Sequence, residues 1–203
     1  MIDTLIQFSK DSWGLIPLMV LVFILGVAVI IERAVYLSKT VKNGLSLEYD
    51  LMKVARGNLD DTTKVANHYG ATLQGELVKV GLKMRGEKAE TVERAVDETV
   101  MFQLPKLDRN LWVLDTCVTL GPLMGLLGTI IHMIEAFSAL AAAGTPNAQA
   151  VTGPIAHALV ATAIGLCIAI TCVVPLNYFN KRIRLLINQF DLIKSMLVTR
   201  LAA

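Results

Sequence analysis

Charge is scarce in this sequence, and what there is nearly cancels. Charged residues make up 18% of the 203, and 19 lysines and arginines against 17 acids leave a formal net charge of +2. That is too small, and too evenly mixed with acids, for a nucleic-acid-binding surface, so no nucleic-acid partner is expected. No Walker loop or dinucleotide fingerprint occurs, which sets nucleotide chemistry aside. The three cysteines, Cys117, Cys167 and Cys172, are odd in number and lie inside apolar segments, where cysteine behaves as a small hydrophobe. Neither a disulfide framework nor a metal motif follows, and no cofactor is expected. There is also no basic stretch ahead of the first apolar run and no convincing small-x-small cleavage site after it, which argues against a cleaved signal peptide.

What the chain has in abundance is apolar length. Hydrophobic residues are 54% of the total and the mean hydropathy is +0.57, as expected of a polytopic membrane protein in a lipid bilayer. Residues 15–31 are almost wholly apolar and with their flanks reach the roughly 20 residues a spanning helix needs. Trp13 sits at the edge as an interfacial anchor would, and Pro17 falls in the first turn, where a missing amide donor costs least. A second span is expected over about residues 116–136 and a third over about residues 154–176.

Basic residues gather at particular ends of these spans. Arg33, Lys39 and Lys42 follow the first, Arg109 precedes the second, and Lys181, Arg182 and Arg184 follow the third, while the link at residues 140–152 carries no charge. The positive-inside rule makes those basic ends cytoplasmic and the N-terminus periplasmic. The expected fold is an all-α membrane protein, three transmembrane helices with long helical extensions into the cytoplasm. Its parts are a periplasmic N-terminus and first transmembrane helix (1–38), a cytoplasmic helical insert (39–109), the second and third transmembrane helices (110–180) and a cytoplasmic C-terminal helix (181–203).

Within the insert, Val92, Val96, Val100 and Leu107, with Ala95 and Phe102 near the same face, have helical spacing that runs on into the second span. One helix over residues 90–140 would be roughly 75 Å long and would bend at Pro105; separate shorter helices are the alternative. The third span continues in the same way through Ile183, Leu186, Ile187, Phe190, Ile193 and Leu197. His68 reads as a surface residue.

The apolar spans carry a few polar side chains that hydrocarbon cannot satisfy: Thr129, His132, Glu135, His157 and Thr162. They mark an ion path. On the second span Gly121, Gly125, Thr129, His132 and Ala136 recur at three- and four-residue steps, and Ala158, Thr162, Gly165, Ala169 and Cys172 do so on the third. Small stripes let helices pack closely, which accounts for most of the glycine and alanine with no further role. A buried threonine can likewise bond the carbonyl three or four residues before it and do nothing else. Counting from the loop ends, Thr129 and Thr162 sit at nearly one level, and Glu135 faces His157 across the outer part of the hairpin. Such an acid and imidazole can exchange a proton near neutral pH; solvation of Glu135 is the plainer alternative. His157 and Thr162 differ by five residues, about 140° around a helix, so they do not both point squarely into one lumen.

An ordered set of motifs covers almost the whole chain: Glu32, Arg33 and Leu37 after the first span, GPLMGLLGT at 121–129, MIEAF at 133–137, GPIAHALVATAIGL at 153–166 and PLNYFNKR at 175–182. This set resembles the proton-channel family that includes TolQ, ExbB and MotA, and it is closer to TolQ and ExbB than to the four-span flagellar stators. The resemblance implies a homopentamer in the bacterial inner membrane around a dimer of a single-span ExbD- or TolR-like partner, which carries the proton-binding aspartate. It also implies a TonB- or TolA-like energy transducer, use of the proton motive force, and no enzymatic activity. The family's two path threonines correspond to Thr129 and Thr162. One departure stands out: where the family's third-span motif reads IAEAL, this chain reads IAHAL, with His157 in the glutamate's place. Two other function classes compete, a haem-binding electron carrier with His132 and His157 as axial ligands and a passive scaffold whose polar residues only pack.

Overall fold

A computed structural model describes residues 14–55, 58–143 and 148–201. These form six helices and, among the described residues, no strand: α1 (Leu15–Lys53), α2 (Leu59–His68), α3 (Leu73–Lys83), α4 (Ala89–Asp108), α5 (Leu111–Ala143) and α6 (Ala148–Leu201). Three of them, α1, α5 and α6, are long and apolar enough to cross a membrane. Trp13 lies outside the described residues. The chain forms two compact units, one of Met1–Ile31 with Asn110–Asn177 and one of Glu32–Arg109 with Tyr178–Ala203. Both α1 and α6 contribute to each.

The first unit is the apolar one. Met19, Leu114, Ala161, Ile168 and Cys172 are buried in it, while Leu21, Ile24, Leu123, Ile134, Leu159 and Ile170 lie on its exterior. An exterior so rich in large aliphatic side chains suits hydrocarbon and not water.

The second unit buries a conventional soluble-type core from five helices. Its buried side chains include Leu37, Leu47 and Leu51 of α1, Ala66 of α2, Leu77 and Val78 of α3, Val92, Val96 and Leu107 of α4, and Phe179, Leu186, Phe190, Ile193 and Leu197 of α6. The α6 residues are those whose spacing predicts a continued third helix, and α6 does run unbroken for 54 residues with Pro154 and Pro175 inside it. The expected face on α4 is partly corrected. Phe102 is 79% exposed and Gln103 takes the buried place instead, because the sequence of steps 92, 96, 103 and 107 keeps to one stripe and residue 102 lies about 100° off it. The single helix expected over residues 90–140 is corrected too. Pro105 is accommodated inside α4; the break comes at Arg109 and Asn110, where Asn110 adopts a left-handed φ of 63°. Asparagine tolerates that conformation better than most residues, and it ends α4 more effectively than the proline does.

Short helices in this unit start from side-chain caps: Asn58 accepts from the Asp61 amide and Thr72 from the Gly75 amide, each satisfying an orphan donor. Gly75 must lack a side chain, since a Cβ there would run into the Tyr69 carbonyl. His68 is exposed, edge-on to Tyr69. Two arginines close helix C-termini. Arg33, 2% exposed, donates to the carbonyls of Lys106 and Leu107 at 3.2 and 3.5 Å in the last turn of α4 and pairs with Glu32 at 2.6 Å. Arg200 donates to the Leu51 carbonyl at 2.5 Å in the last turn of α1. Cations at these ends satisfy orphan acceptors and meet the negative pole of the helix.

Lys194 of α6 lies 2.7 Å from Asp97, 3.6 Å from Asp191 and 3.8 Å from Glu93. Its hydrogen bond to Asp97 holds the ammonium above its ordinary value of 10.5, against the opposing effect of burial. A folded-state pKa raised in this way contributes stability that is complete below the ordinary value and is lost as pH rises through the folded one. Lys194→Met is therefore expected to lower stability equally at pH 6 and pH 9, with the difference from wild type shrinking only above the ordinary lysine range; thermal unfolding in detergent across that pH series checks it. Arg33→Gln is expected to cost about 2 kcal/mol, the scale of hydrogen bonds from a charged donor. Arg94→Gln, which removes only the exposed pair with Glu90, should cost less than about 0.5 kcal/mol. Equal losses for the two in denaturant titrations would rule out a capping role for Arg33.

Candidate functional site

The second and third spans, α5 and α6, meet through residues with little or no side chain. A Cβ at Gly121 would lie 2.7 Å from the Gly165 carbonyl oxygen, one at Gly125 would lie 3.0 Å from Thr162 Cα, and one at Gly128 would lie 2.6 Å from the Ala161 methyl. A Cβ at Gly165 would collide with the Gly121 carbonyl. In a bilayer, where there is no hydrophobic force between helices, this backbone contact is what association rests on. The first span joins at Gly26, where a Cβ would lie 2.9 Å from Cys172 Sγ and 3.4 Å from Cys117 Sγ. The Cys117 thiol donates to the Val22 carbonyl at 3.6 Å.

These contacts set the register, and the register brings His132 opposite His157. Their ring centroids are 5.6 Å apart, edge to face, with the planes at 72°. His132 is 1% exposed. Its Nδ1 lies 3.0 Å from Glu135 Oε2, so an ionised carboxylate accepts there from an Nδ1–H and a protonated one donates to a bare Nδ1. Nε2 is buried with no hydrogen-bond partner among the described residues. Leaving such an atom unsatisfied costs about 1–3 kcal/mol. Glu135 is 35% exposed and His157 half-buried. The two residues expected to face each other are thus in one cluster, but Glu135 bonds to His132, which lies edge-on to His157. The sequence marks His132 as one of the ion-path residues and as a candidate haem ligand, but not as the partner of Glu135. The signal for its actual role is the i, i+3 spacing of His132 and Glu135, which puts them on one face of α5.

The threonines are spread along the hairpin. Thr129 donates to the Leu126 carbonyl at 2.6 Å. Thr162 donates to Ala158 at 3.3 Å and across to the Gly125 carbonyl at 3.4 Å. Thr162 therefore lies opposite Gly125, about 6 Å of helix rise from Thr129, and the equal depth expected from loop counting is corrected by one turn. The glycine contacts decide the register, and the loop ends used for counting, Leu140 and Thr152, lie inside α5 and α6. The packing also leaves no slot for a porphyrin: Gly128 and Ala161 touch one turn from His132.

Three spanning helices, with a glycine-packed hairpin that holds two imidazoles, a carboxylate and two hydroxyls within apolar segments, define a membrane subunit of the ion-conducting class. Residues 70–192 match the MotA/TolQ/ExbB proton channel family, and the chain belongs to it. It is similar to a biopolymer transport protein of Synechocystis sp., ExbB-like 3, at 32% identity over 173 residues, 84% of this chain and 81% of that protein. It is also similar to the biopolymer transport protein ExbB of Xanthomonas campestris pv. campestris, at 34% over 133 residues, spanning 66% of this chain and 51% of that protein. The Tol-Pal system protein TolQ of Haemophilus influenzae is 29% identical over 198 residues, 88% of this chain and 77% of that protein.

Gly165→Ala is expected to push α5 from α6 and destabilise the hairpin by about 1–3 kcal/mol, the usual cost of overpacking. Gly153→Ala, whose Cβ would meet nothing within 4 Å, should leave stability unchanged or slightly raised. Unfolding in mixed micelles compares the pair, and equal stability of both variants would refute the close contact.

Proposed function

We propose that this chain is the channel-forming subunit of an ExbB/TolQ-like stator motor in the bacterial inner membrane. Five copies surround a dimer of a single-span ExbD- or TolR-like partner in a central pore, and inward proton flow drives transport or force generation across the envelope through a TonB- or TolA-like transducer. The N-terminus is periplasmic, and residues 39–109 and 181–203 are cytoplasmic, as the basic residues flanking the spans support. Each proton crossing a potential of about 100 mV releases about 2.3 kcal/mol from the electrical term. One hairpin offers too few polar groups to line a closed route across about 30 Å of hydrocarbon, which favours an oligomer.

The observation that carries this reading is the cluster of Glu135, His132 and His157 inside a segment that belongs to a proton-channel family. His157 stands where the family's motif has glutamate, so the titratable group at that level is an imidazole with a carboxylate supplied from the neighbouring helix. Thr129 and Thr162 complete the path as hydroxyl donors and acceptors. One observation favours a packing role for the threonines instead: each hydroxyl already donates to a carbonyl of its own helix. Substitution by valine separates the two, since it keeps shape and removes the hydroxyl. Thr129→Val and Thr162→Val are expected to leave assembly intact and to reduce partner-dependent proton uptake by liposomes, since the hydroxyls that would hold a water chain are gone; wild-type uptake in both would assign the threonines to packing. Native mass spectrometry is expected to show a pentamer, and a stable monomer or tetramer would sink the proposed architecture.

A further inference from the structure

We infer that His132 is the proton-holding residue that links His157 to Glu135. The inference rests on the proton-channel reading and adds to it a residue that departs from pure packing. Close approach of α5 and α6 is already secured by Gly121, Gly125, Gly128 and Gly165, so the helices do not need an imidazole for contact. Yet His132 is fully buried, with one ring nitrogen on a carboxylate at 3.0 Å and the other enclosed without a partner among the described residues. A buried polar atom of this kind calls for an explanation, and a ring nitrogen left without another partner beside a second imidazole is what a transfer step requires. The ionisable groups around it are Glu135 on its own helix and His157 on α6; α1 brings none over residues 15–31.

In the inward direction a proton on the Glu135 carboxyl, the outer of the groups, passes to His132 Nδ1 when the ring carries its hydrogen on Nε2, and the imidazolium so formed passes its Nε2 proton to neutral His157, directly after a small ring rotation or through one water. Glu135 is again a carboxylate, His157 carries the proton onward, and His132 is left in the Nδ1–H form. Turning over the ring restores the Nε2–H form for the next proton. The chemistry suits protons and not sodium ions, which take oxygen ligands and cannot use an imidazole N–H.

The test uses the full chain, labelled with ¹⁵N-histidine, in lipid nanodiscs from pH 5 to 9. His132 is expected to populate both neutral ring tautomers in exchange, as a group that passes protons between two neighbours must, and Glu135→Gln should change their ratio. Reconstitution with an ExbD- or TolR-like partner gives the second reading: His132→Gln should lower proton uptake about tenfold or more, with assembly unchanged. If His132→Gln disturbs folding, Glu135→Gln, at a partly exposed position, serves in its place and should also slow uptake. Wild-type uptake in the assembled variants, or a single neutral tautomer of His132 at every pH, would overturn the inference. No uptake by the wild type would instead overturn the proton-channel reading, while the tautomer measurement still decides whether His132 exchanges protons with its neighbours.

Discussion

Everything in the apolar unit depends on two backbones touching. Between Gly121 and Gly165 the peptide groups themselves form the interface, and in a solvent as apolar as the side chains such contact is among the few attractions available. It is short-ranged, so it has little tolerance for displacement. From it follow the opposition of Gly125 with Thr162, of Gly128 with Ala161 and of His132 with His157. The polar cluster is thus a consequence of where two helices can come closest.

The second unit solves a different problem. Its helices end in water-accessible surroundings, yet several termini pack against neighbours, where uncapped carbonyls would be costly. Arg33 and Arg200 answer this with guanidinium groups reaching from one helix to the end of another. Buried amides do similar bridging: Gln74 donates to the Thr40 carbonyl and Gln103 to Glu76. These links are polar and directional, and they specify how the helices meet more sharply than an aliphatic core alone would.

The three spans were legible because length and hydropathy report directly on a bilayer crossing, and the continuation of α6 was legible because Leu186, Phe190, Ile193 and Leu197 repeat at helical spacing. The break before α5 was not, since a left-handed asparagine leaves no periodic trace and Pro105 offers a more conspicuous but ineffective interruption. In the site, the residue types were readable while their pairing was not. Counting across a hairpin assumes that the loop sets the register, whereas the glycines set it, and this moved Thr162 a turn away from Thr129. Glu135 found its partner three residues away on its own helix, a local relation that the long-range count overlooked. The arginine caps join residues more than seventy positions apart in sequence, and no local pattern announces them.

Both units are assembled from non-adjacent stretches of chain, and this has a consequence for the order of biogenesis. As the chain leaves the ribosome, Glu32–Arg109 is complete long before Tyr178–Ala203. Until α6 is finished, Leu37, Leu47, Leu77 and Val96 lack the surface supplied by Phe190, Ile193 and Leu197. The early helices must therefore wait with apolar faces uncovered while two further spans are inserted, a period in which chaperones and proteases compete for them. The stretch of α6 beyond Tyr178 acts as the closing piece of the second unit, and a chain stalled before it has an inserted membrane part and an unfinished second core.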